Sequence, residues 1–347
     1  MSLLPSLSPA ATGADNPYQM TPDEMPERAP DTSVASPAER PKVLLLGGQA
    51  RSGSTLVDRS LGQVDGFVSC GEIRYLWDRG LRDDERCGCG LPLRGCPFWG
   101  RVGHLAFGGW DRIDLEEVLA LREEVDQPRA LPRLLRMGPT TSPFERKVAR
   151  YLSYLERVYP AILEAAEGDV VIDSSMSPLH ALIVRRSTEL DVRVAHLVRD
   201  ARGVAHSSTK QVVRPEITDR EVMMPTYSPP EAALRWTTTN AVFGSLGRHV
   251  PTIRFTYEDF VREPRRELDR ITTLMGHPLT PADAAFRDGP VIVLGTDHTV
   301  AGNPMRFMTG EVPIRADEAW REKMDPRQRM LVTALTYPML RRYGFEP

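Results

Sequence analysis

The sequence predicts an α/β protein built on a mainly parallel, doubly wound sheet with helices on both faces. Three observations predict it. Short apolar runs alternate with stretches of helical period. The first run feeds directly into a glycine-spaced turn and a helix start. One irregular stretch, about 78–142, interrupts the alternation and reads as an irregular or helical cap insertion.

In chain order, residues 1–40 are rich in Pro, Ser, Ala, Asp and Glu with no apolar period, which predicts a disordered tail. Residues 41–347 are expected to form one domain. Lys42-Val43-Leu44-Leu45-Leu46-Gly47 reads as a short strand buried on both faces, and a second strand precedes Glu72 in Phe67-Val68-Ser69-Cys70-Gly71-Glu72-Ile73-Arg74. Further strands are expected at Asp169–Asp173, Val192–Val198 and Thr252–Phe255. Helical patterns lie at about 144–166, 178–188, 203–212, 230–248 and 263–275. In such a sheet, ligands bind beyond the C-terminal strand ends. The 78–142 stretch, with its Gly, Pro, Cys, aromatics and arginines, is expected to cap that site and carry specificity.

Composition narrows the function. The 347 residues are 41% hydrophobic and 26% charged, with a net charge of −3. This balance is ordinary for a globular protein and gives no argument for nucleic acid or a membrane. Lys42, Lys147, Lys210 and Lys323 are the only lysines, so anion sites must be built from arginine forks. No apolar run reaches the roughly 20 residues that span a bilayer. The start of the chain has Leu3-Leu4 but no basic segment, so no signal peptide and a cytoplasmic location are expected. Cys87-x-Cys89-x6-Cys96, with Cys70 apart, lacks a second CxxC or a His pair; reduced thiols or a local disulfide are expected, and no metal. Trp99, Phe107 and Trp110 either line an acceptor pocket or form the core of the cap.

The turn after the first strand reads Gly48-Gln49-Ala50-Arg51-Ser52-Gly53-Ser54-Thr55-Leu56. Gly48-x4-Gly53 before a hydroxyl pair is the spacing of a P-loop, which cradles phosphate with backbone N–H groups at a helix N-terminus. A triphosphatase places Lys after the second glycine. Here Ser54 stands there, and the cation is Arg51. The loop is equipped for an anion and poorly equipped for magnesium-dependent triphosphate cleavage.

A second anion site is expected at Arg199-Asp200-Ala201-Arg202-Gly203-Val204-Ala205-His206-Ser207, with Arg199 at a strand end and Ser207 inside the next helix. The plainer alternative is a surface arginine and a helix-facing serine. Tyr257, in Thr256-Tyr257-Glu258-Asp259-Phe260, offers a ring face at a strand end; a packing tyrosine is the alternative.

Taken together, the lysine-free loop, the Arg199…Ser207 segment and the Tyr257-Glu258-Asp259 stretch resemble the sulfotransferases that use 3′-phosphoadenosine 5′-phosphosulfate (PAPS). Arg199-Asp200-Ala201-Arg202 with His206-Ser207 is most similar to their tyrosylprotein and carbohydrate branches. The resemblance spans about residues 42–345. It implies a P-loop-like fold and in-line transfer of a sulfuryl group to a hydroxyl acceptor, without a metal. Arg51, Ser52, Gly53, Ser54, Thr55 and Leu56 would hold the 5′-phosphosulfate, with Arg51 also catalytic. Arg199 and Ser207 would hold the 3′-phosphate, and Tyr257 would lie against adenine. Gly302-Asn303-Pro304-Met305-Arg306 resembles a bacterial segment of the family and implies further donors from Asn303 and Arg306.

The resemblance also supplies a base: Cys70-Gly71-Glu72 matches a segment whose glutamate deprotonates the acceptor. Glu72 could otherwise make a helix-start contact or pair with Arg74, and His298 is the rival base. One departure stands out. Met176, in Asp173-Ser174-Ser175-Met176-Ser177-Pro178, occupies the place of a family lysine that steadies the transferring group; Ser174, Ser175 or another arginine would have to substitute. The expected acceptor is a small molecule or glycoconjugate, and the product nucleotide is adenosine 3′,5′-bisphosphate. A P-loop small-molecule kinase and a non-catalytic nucleotide-binding protein are the alternatives. Oligomeric state is not legible.

Overall fold

Five parallel strands in the order β2-β3-β1-β4-β5 form the central sheet of the computed structural model, which describes residues 40–136, 141–217, 221–280 and 291–346. They are β1 Lys42–Gly47, β2 Phe67–Ser69, β3 Val170–Asp173, β4 Asp191–Val198 and β5 Thr252–Thr256. The tail expected over 1–40 lies, apart from Arg40, outside the described residues. In the centre of the sheet, β1 pairs with β3 on one side and β4 on the other. That position explains its unbroken apolar run, since neither face meets water. Val43 and Leu45 enter one core with Val171 and Val194, while Leu44 and Leu46 enter the opposite core with Ile172 and Leu197.

Helices cover both faces. On the first, α2 Pro97–Phe107, α3 Leu115–Val125 and α4 Leu131–Arg136 accompany the long α5 Pro143–Ala166. The α5 helix buries Val148, Tyr151, Leu152, Leu155, Val158, Tyr159 and Ile162, an i, i+3, i+4 stripe, and Ser142 caps it through Glu145 N–H. On the opposite face, α1 Ser54–Leu61, α9 Tyr257–Arg262 and α10 Pro264–Leu274 pack against Leu44 and Leu46. The expected 263–275 helix is thus preceded by a separate short one, because Thr256 caps α9 and Pro264 opens α10. A third cluster unites α7 Ala201–Ser208, α8 Pro229–Leu246, α11 Trp320–Lys323 and α12 Pro326–Arg342 around Trp236. The sixth helix, α6 Pro178–Val184, follows β3.

Two features depart from expectation. The 78–142 stretch supplies most of a helical layer: Trp77, Phe107, Trp110 and Tyr154 interlock edge-on or tilted. Trp99 is buried beside them, and Trp110 donates its indole N–H to the Trp99 carbonyl. These aromatics are core residues, which decides between the two alternatives. The second departure is an antiparallel hairpin, β6 Val291–Leu294 with β7 Gly310–Pro313. Its strands are short and β7 contains Gly and Pro, so no alternation announced it.

The chain leaves β1 toward β2 on one side and β4 toward β5 on the other. The C-terminal ends of β1 and β4 therefore flank a topological switch point, where α/β sheets open a crevice.

Candidate active site

A cavity of about 630 Å³ opens at that crevice. The β1 turn contributes Gln49, Ala50, Arg51, Gly53, Ser54, Thr55 and Leu56. Beyond β3 come Ser175, Met176, Ser177 and Leu179; Arg199 follows β4, Ser207 lies on α7, and Tyr257 follows β5. Glu72 and Asn303 join them, whereas Ser52 and Arg306 of the set expected from sequence do not line the cavity. Ser52 is fully buried, and its hydroxyl has no partner among the described residues.

The turn has the backbone of an anion cradle. Gly48 has φ +139°, and a Cβ there would sit 2.1 Å from the Leu197 carbonyl oxygen. Gly53, at φ +89°, lies against the Tyr257 ring, which a Cβ would approach to 2.6 Å. Arg51 also has a left-handed φ of 72°, unusual for a residue with a side chain. The α1 helix starts at Ser54 without a side-chain cap; Leu56 and Val57 N–H donate to the Gly53 carbonyl, and the N–H groups of Ser54 and Thr55 have no acceptor among the described residues.

Arg51 and Arg199 converge. The Arg51 Nε donates to Ser207 Oγ at 3.2 Å and its Nη2 to the Ser207 carbonyl at 3.0 Å. Arg199 donates to the Arg51 carbonyl at 3.0 Å, and its guanidinium lies 4.6 Å from the centre of the Tyr257 ring. Its counter-charge is Asp317, at 3.1 Å, shared with Lys210 at 3.5 Å. Burial lowers the Arg51 pKa, and the nearby Arg199 charge lowers it further. Two cations held this close, against one half-buried carboxylate, favour an incoming anion. Arg51, expected at the 5′ end of the donor, instead turns its guanidinium to Ser207, joining the two expected anion sites.

The Asp200-Ala201-Arg202 part of the motif is scaffold. Asp200 caps α7 by accepting from Arg202 N–H and pairs with the Arg202 guanidinium at 2.6 Å.

Glu72 lies past β2, fixed by backbone bonds of 2.8 Å from Glu72 N–H to Val300 O and from Val300 N–H to Cys70 O. A Cβ at Gly302 would lie 3.8 Å from Glu72 Oε1 and 3.9 Å from Thr55 Oγ1, so the carboxyl faces the rim of the anion loop. It does not pair with Arg74, which instead binds Asp126 and the Tyr75 hydroxyl. Burial pushes the Glu72 pKa up to about 7, against the opposing pull of Arg79, Arg306 and Arg74. That is a tuned carboxylate, near the range where a base works best.

Other expected residues fall elsewhere. Arg306 is buried away from the cavity, donating to the carbonyls of Thr299 and Arg86; it fastens chain segments and is not brought to Arg199. His298 does not line the cavity either: its Nδ1 faces Cys87 and Cys96, so it is not set as a rival base. Asn303 lines the cavity while its Oδ1 accepts from Met305 N–H. Its segment is tied to α1 by the buried Arg59, which pairs with Asp297 and donates to the carbonyls of Gly295 and Met305. Of the stretch read as a cap, only Pro128 is among the cavity's lining residues.

Met176 does reach the cavity, in a left-handed backbone conformation of φ 51°. The serines beside it are occupied. Ser174 Oγ donates to Asp58 at 2.9 Å, and Ser175 Oγ bonds Asp173 while accepting from Arg74 N–H. Burial works to raise the Asp173 pKa, but His180 and three hydrogen bonds hold it below the ordinary value. Neither serine is thus a free replacement for a cation.

Arg74, Met224, Tyr227, Arg235, Arg315 and Asp317 also line the cavity. No local motif marked them, because they reach the site from the loop after β2, the segment before α8, α8 itself and the segment after β7.

No family model and no curated protein matches the chain. Among solved structures, it is similar to the sulfotransferase domain of the Synechococcus PCC 7002 olefin synthase, at 22% identity and a TM-score of 0.46, over 86% of this chain and 94% of that one. It is also similar to the sulfotransferase domain of the curacin biosynthetic pathway, at 16% identity and 0.46, over 88% and 99%. Retinol dehydratase, solved with androsterone and the inactive cofactor PAP, matches at 13% identity and 0.37, over 89% and 83%.

Proposed function

We propose that the chain is a sulfotransferase that takes the sulfuryl group from PAPS and transfers it to a hydroxyl of a small molecule or glycoconjugate. The observation that carries this reading is the meeting of two guanidinium groups beside a phosphate loop without its lysine: Arg51 bonds Ser207, and Arg199 donates to the Arg51 carbonyl. Such a site suits a nucleotide carrying anions at both ends. The amides of Ser54 and Thr55 would receive the 5′-phosphosulfate, Arg199 and Ser207 the 3′-phosphate, and Tyr257 the adenine.

Transfer is in-line: the acceptor oxygen forms a bond to sulfur as the bond from sulfur to the phosphate oxygen breaks. The acceptor proton passes to Glu72, and adenosine 3′,5′-bisphosphate leaves. Positioning and charge stabilisation dominate such chemistry. Met176, Met224, Met305 and Met308 give the cavity adaptable apolar walls for the body of an acceptor. A cytoplasmic location belongs to this reading; among the described residues no helix is long and apolar enough to cross a membrane.

A second reading, a nucleotide-binding protein without turnover, is favoured by Met176 and by the occupied Ser174 and Ser175. Calorimetry with adenosine 3′,5′-bisphosphate and with ATP-magnesium, followed by an acceptor screen with labelled PAPS, separates the readings. Preference for the bisphosphate with label transfer supports the enzyme. The same preference with no transfer to any acceptor or water supports the binding protein. Equal affinity for ATP-magnesium would overturn the sulfotransferase reading.

A further inference from the structure

We propose that Cys87, Cys89, Cys96 and His298 bind one Zn²⁺ in a closed tetrahedral site that fastens the 78–142 insertion to the segment beside Glu72. The proposal stands apart from the transfer chemistry. One ligand atom from each of these residues lies within 4.8 Å of all the others. Cys89 Sγ is 3.7 Å from Cys96 Sγ, and His298 Nδ1 is 3.7 Å from Cys87 Sγ and 3.2 Å from Cys96 Sγ. With Zn–S of about 2.3 Å and Zn–N of about 2.0–2.1 Å, a tetrahedron has edges of about 3.8 Å between sulfurs and about 3.6 Å from sulfur to nitrogen. Three of the six separations stand near those lengths and the rest are within 4.8 Å, and all the cysteines are unbonded thiols.

The surroundings support ligation. The Phe98 ring stacks on the His298 imidazole at 4.7 Å and 14°, and the Trp99 indole N–H donates to the His298 carbonyl at 2.9 Å. These contacts fix the ring so that Nδ1 points at the sulfurs. The Cys87 N–H bonds Leu91 O within the cysteine loop, and the Gly88 N–H bonds Thr299 O, joining the two ligand-bearing segments through their backbones. Three thiolates and one imidazole are a donor set suited to zinc. Four protein ligands leave no position for substrate, so the site is structural. Binding releases the thiol protons of the three cysteines to solvent as the three Zn–S bonds form.

The local sequence could not show this, because the fourth ligand lies 202 residues beyond Cys96. The absence of metal expected from the cysteine spacing is revised by that partner. Its consequence for the candidate site is short-range: His298 is two residues from Val300, which holds Glu72 and Cys70 by backbone bonds.

Elemental analysis of protein purified with a thiol reductant and without chelator is expected to find about one zinc per chain. Chelator-stripped, reduced protein titrated with Co²⁺ should show the visible bands and near-ultraviolet charge transfer of a tetrahedral thiolate site. Cys96→Ser and His298→Ala should each lose the retained zinc on dialysis against a competing chelator. Should those variants fail to fold, the cobalt titration of the wild-type chain still decides. Wild-type protein that contains no zinc and develops no cobalt–thiolate absorption overturns the proposal, as does a Cys89–Cys96 disulfide that persists under the reducing purification. None of these readouts depends on sulfuryl transfer.

Discussion

Glu72 is the residue on which turnover should depend most. A positioned general base contributes about 100- to 10,000-fold, so Glu72→Gln should lower kcat by that range while calorimetric affinity for adenosine 3′,5′-bisphosphate stays near wild type. The group must be ionised to accept a proton. With its pKa raised to about 7 by burial, kcat should climb with pH through about 7 and then level; a profile flat from pH 6 to 8 would remove Glu72 from the role. Arg199 makes a different prediction. Hydrogen bonds to a charged partner contribute about 1.5–3 kcal/mol, so Arg199→Ala should weaken the bisphosphate about 10- to 150-fold. It should weaken adenosine 5′-monophosphate far less, and retained discrimination would take Arg199 out of the 3′-phosphate site. Asp317 competes for the same guanidinium. Asp317→Asn should therefore tighten bisphosphate binding modestly, about 2- to 5-fold, the worth of a partly exposed ion pair.

At the scale of elements, the decisive unit is the turn from β1 into α1. Its shape depends on Gly48, whose φ of +139° and closeness to Leu197 O leave no room for a side chain. Strain of this kind costs about 1–3 kcal/mol before the clash is counted. Gly48→Ala should lower the urea midpoint and abolish nucleotide binding together, whereas a loss of binding at wild-type stability would mean that the turn bends without straining the sheet. The α2, α3 and α5 layer behaves as scaffold: its aromatics interlock among themselves, while Met176, Met224, Tyr227, Met305 and Met308 line the cavity.

The whole molecule carries buried carboxyls whose burial raises their pKa: Asp58 to about 8, Glu72 to about 7 and Glu258 to about 7. Near neutral pH the folded chain holds protons on these groups that the unfolded chain has released. Stability therefore falls as pH rises through 7 and 8. His196 works the other way: burial lowers its pKa to about 4, so the unfolded chain gains a proton below about 6.5 that the folded one refuses. The balance favours the carboxyls above that point. Melting temperature should drop between pH 6.5 and 8.5 in metal-replete buffer, and a rise over that interval would contradict the buried carboxyls. Ligand linkage gives a second global test. At 100 times its Kd a nucleotide adds about 2.7 kcal/mol to stability, and at equal concentration adenosine 3′,5′-bisphosphate should raise the melting temperature well above the effect of ATP-magnesium.

Much of the molecule was legible in the chain because its signals are local. The β1 run, the Gly48-x4-Gly53 spacing, the strand ends bearing Arg199 and Tyr257, and the α5 stripe each follow from residues within one or two turns of one another. Their meeting at one cavity follows from parallel topology, which gathers strand ends on one side of the sheet. What only the tertiary structure decided is who meets whom over long separations. Arg51 turns to Ser207, Asp317 sits on Arg199, Arg306 ties segments away from the cavity, Ser174 and Ser175 are committed to the buried carboxyl groups of Asp58 and Asp173, and His298 joins three cysteines some 200 residues upstream. Each is a pairing forced by burial, since a charge or polar group taken from water must find a partner wherever packing places one, and sequence spacing does not encode that choice.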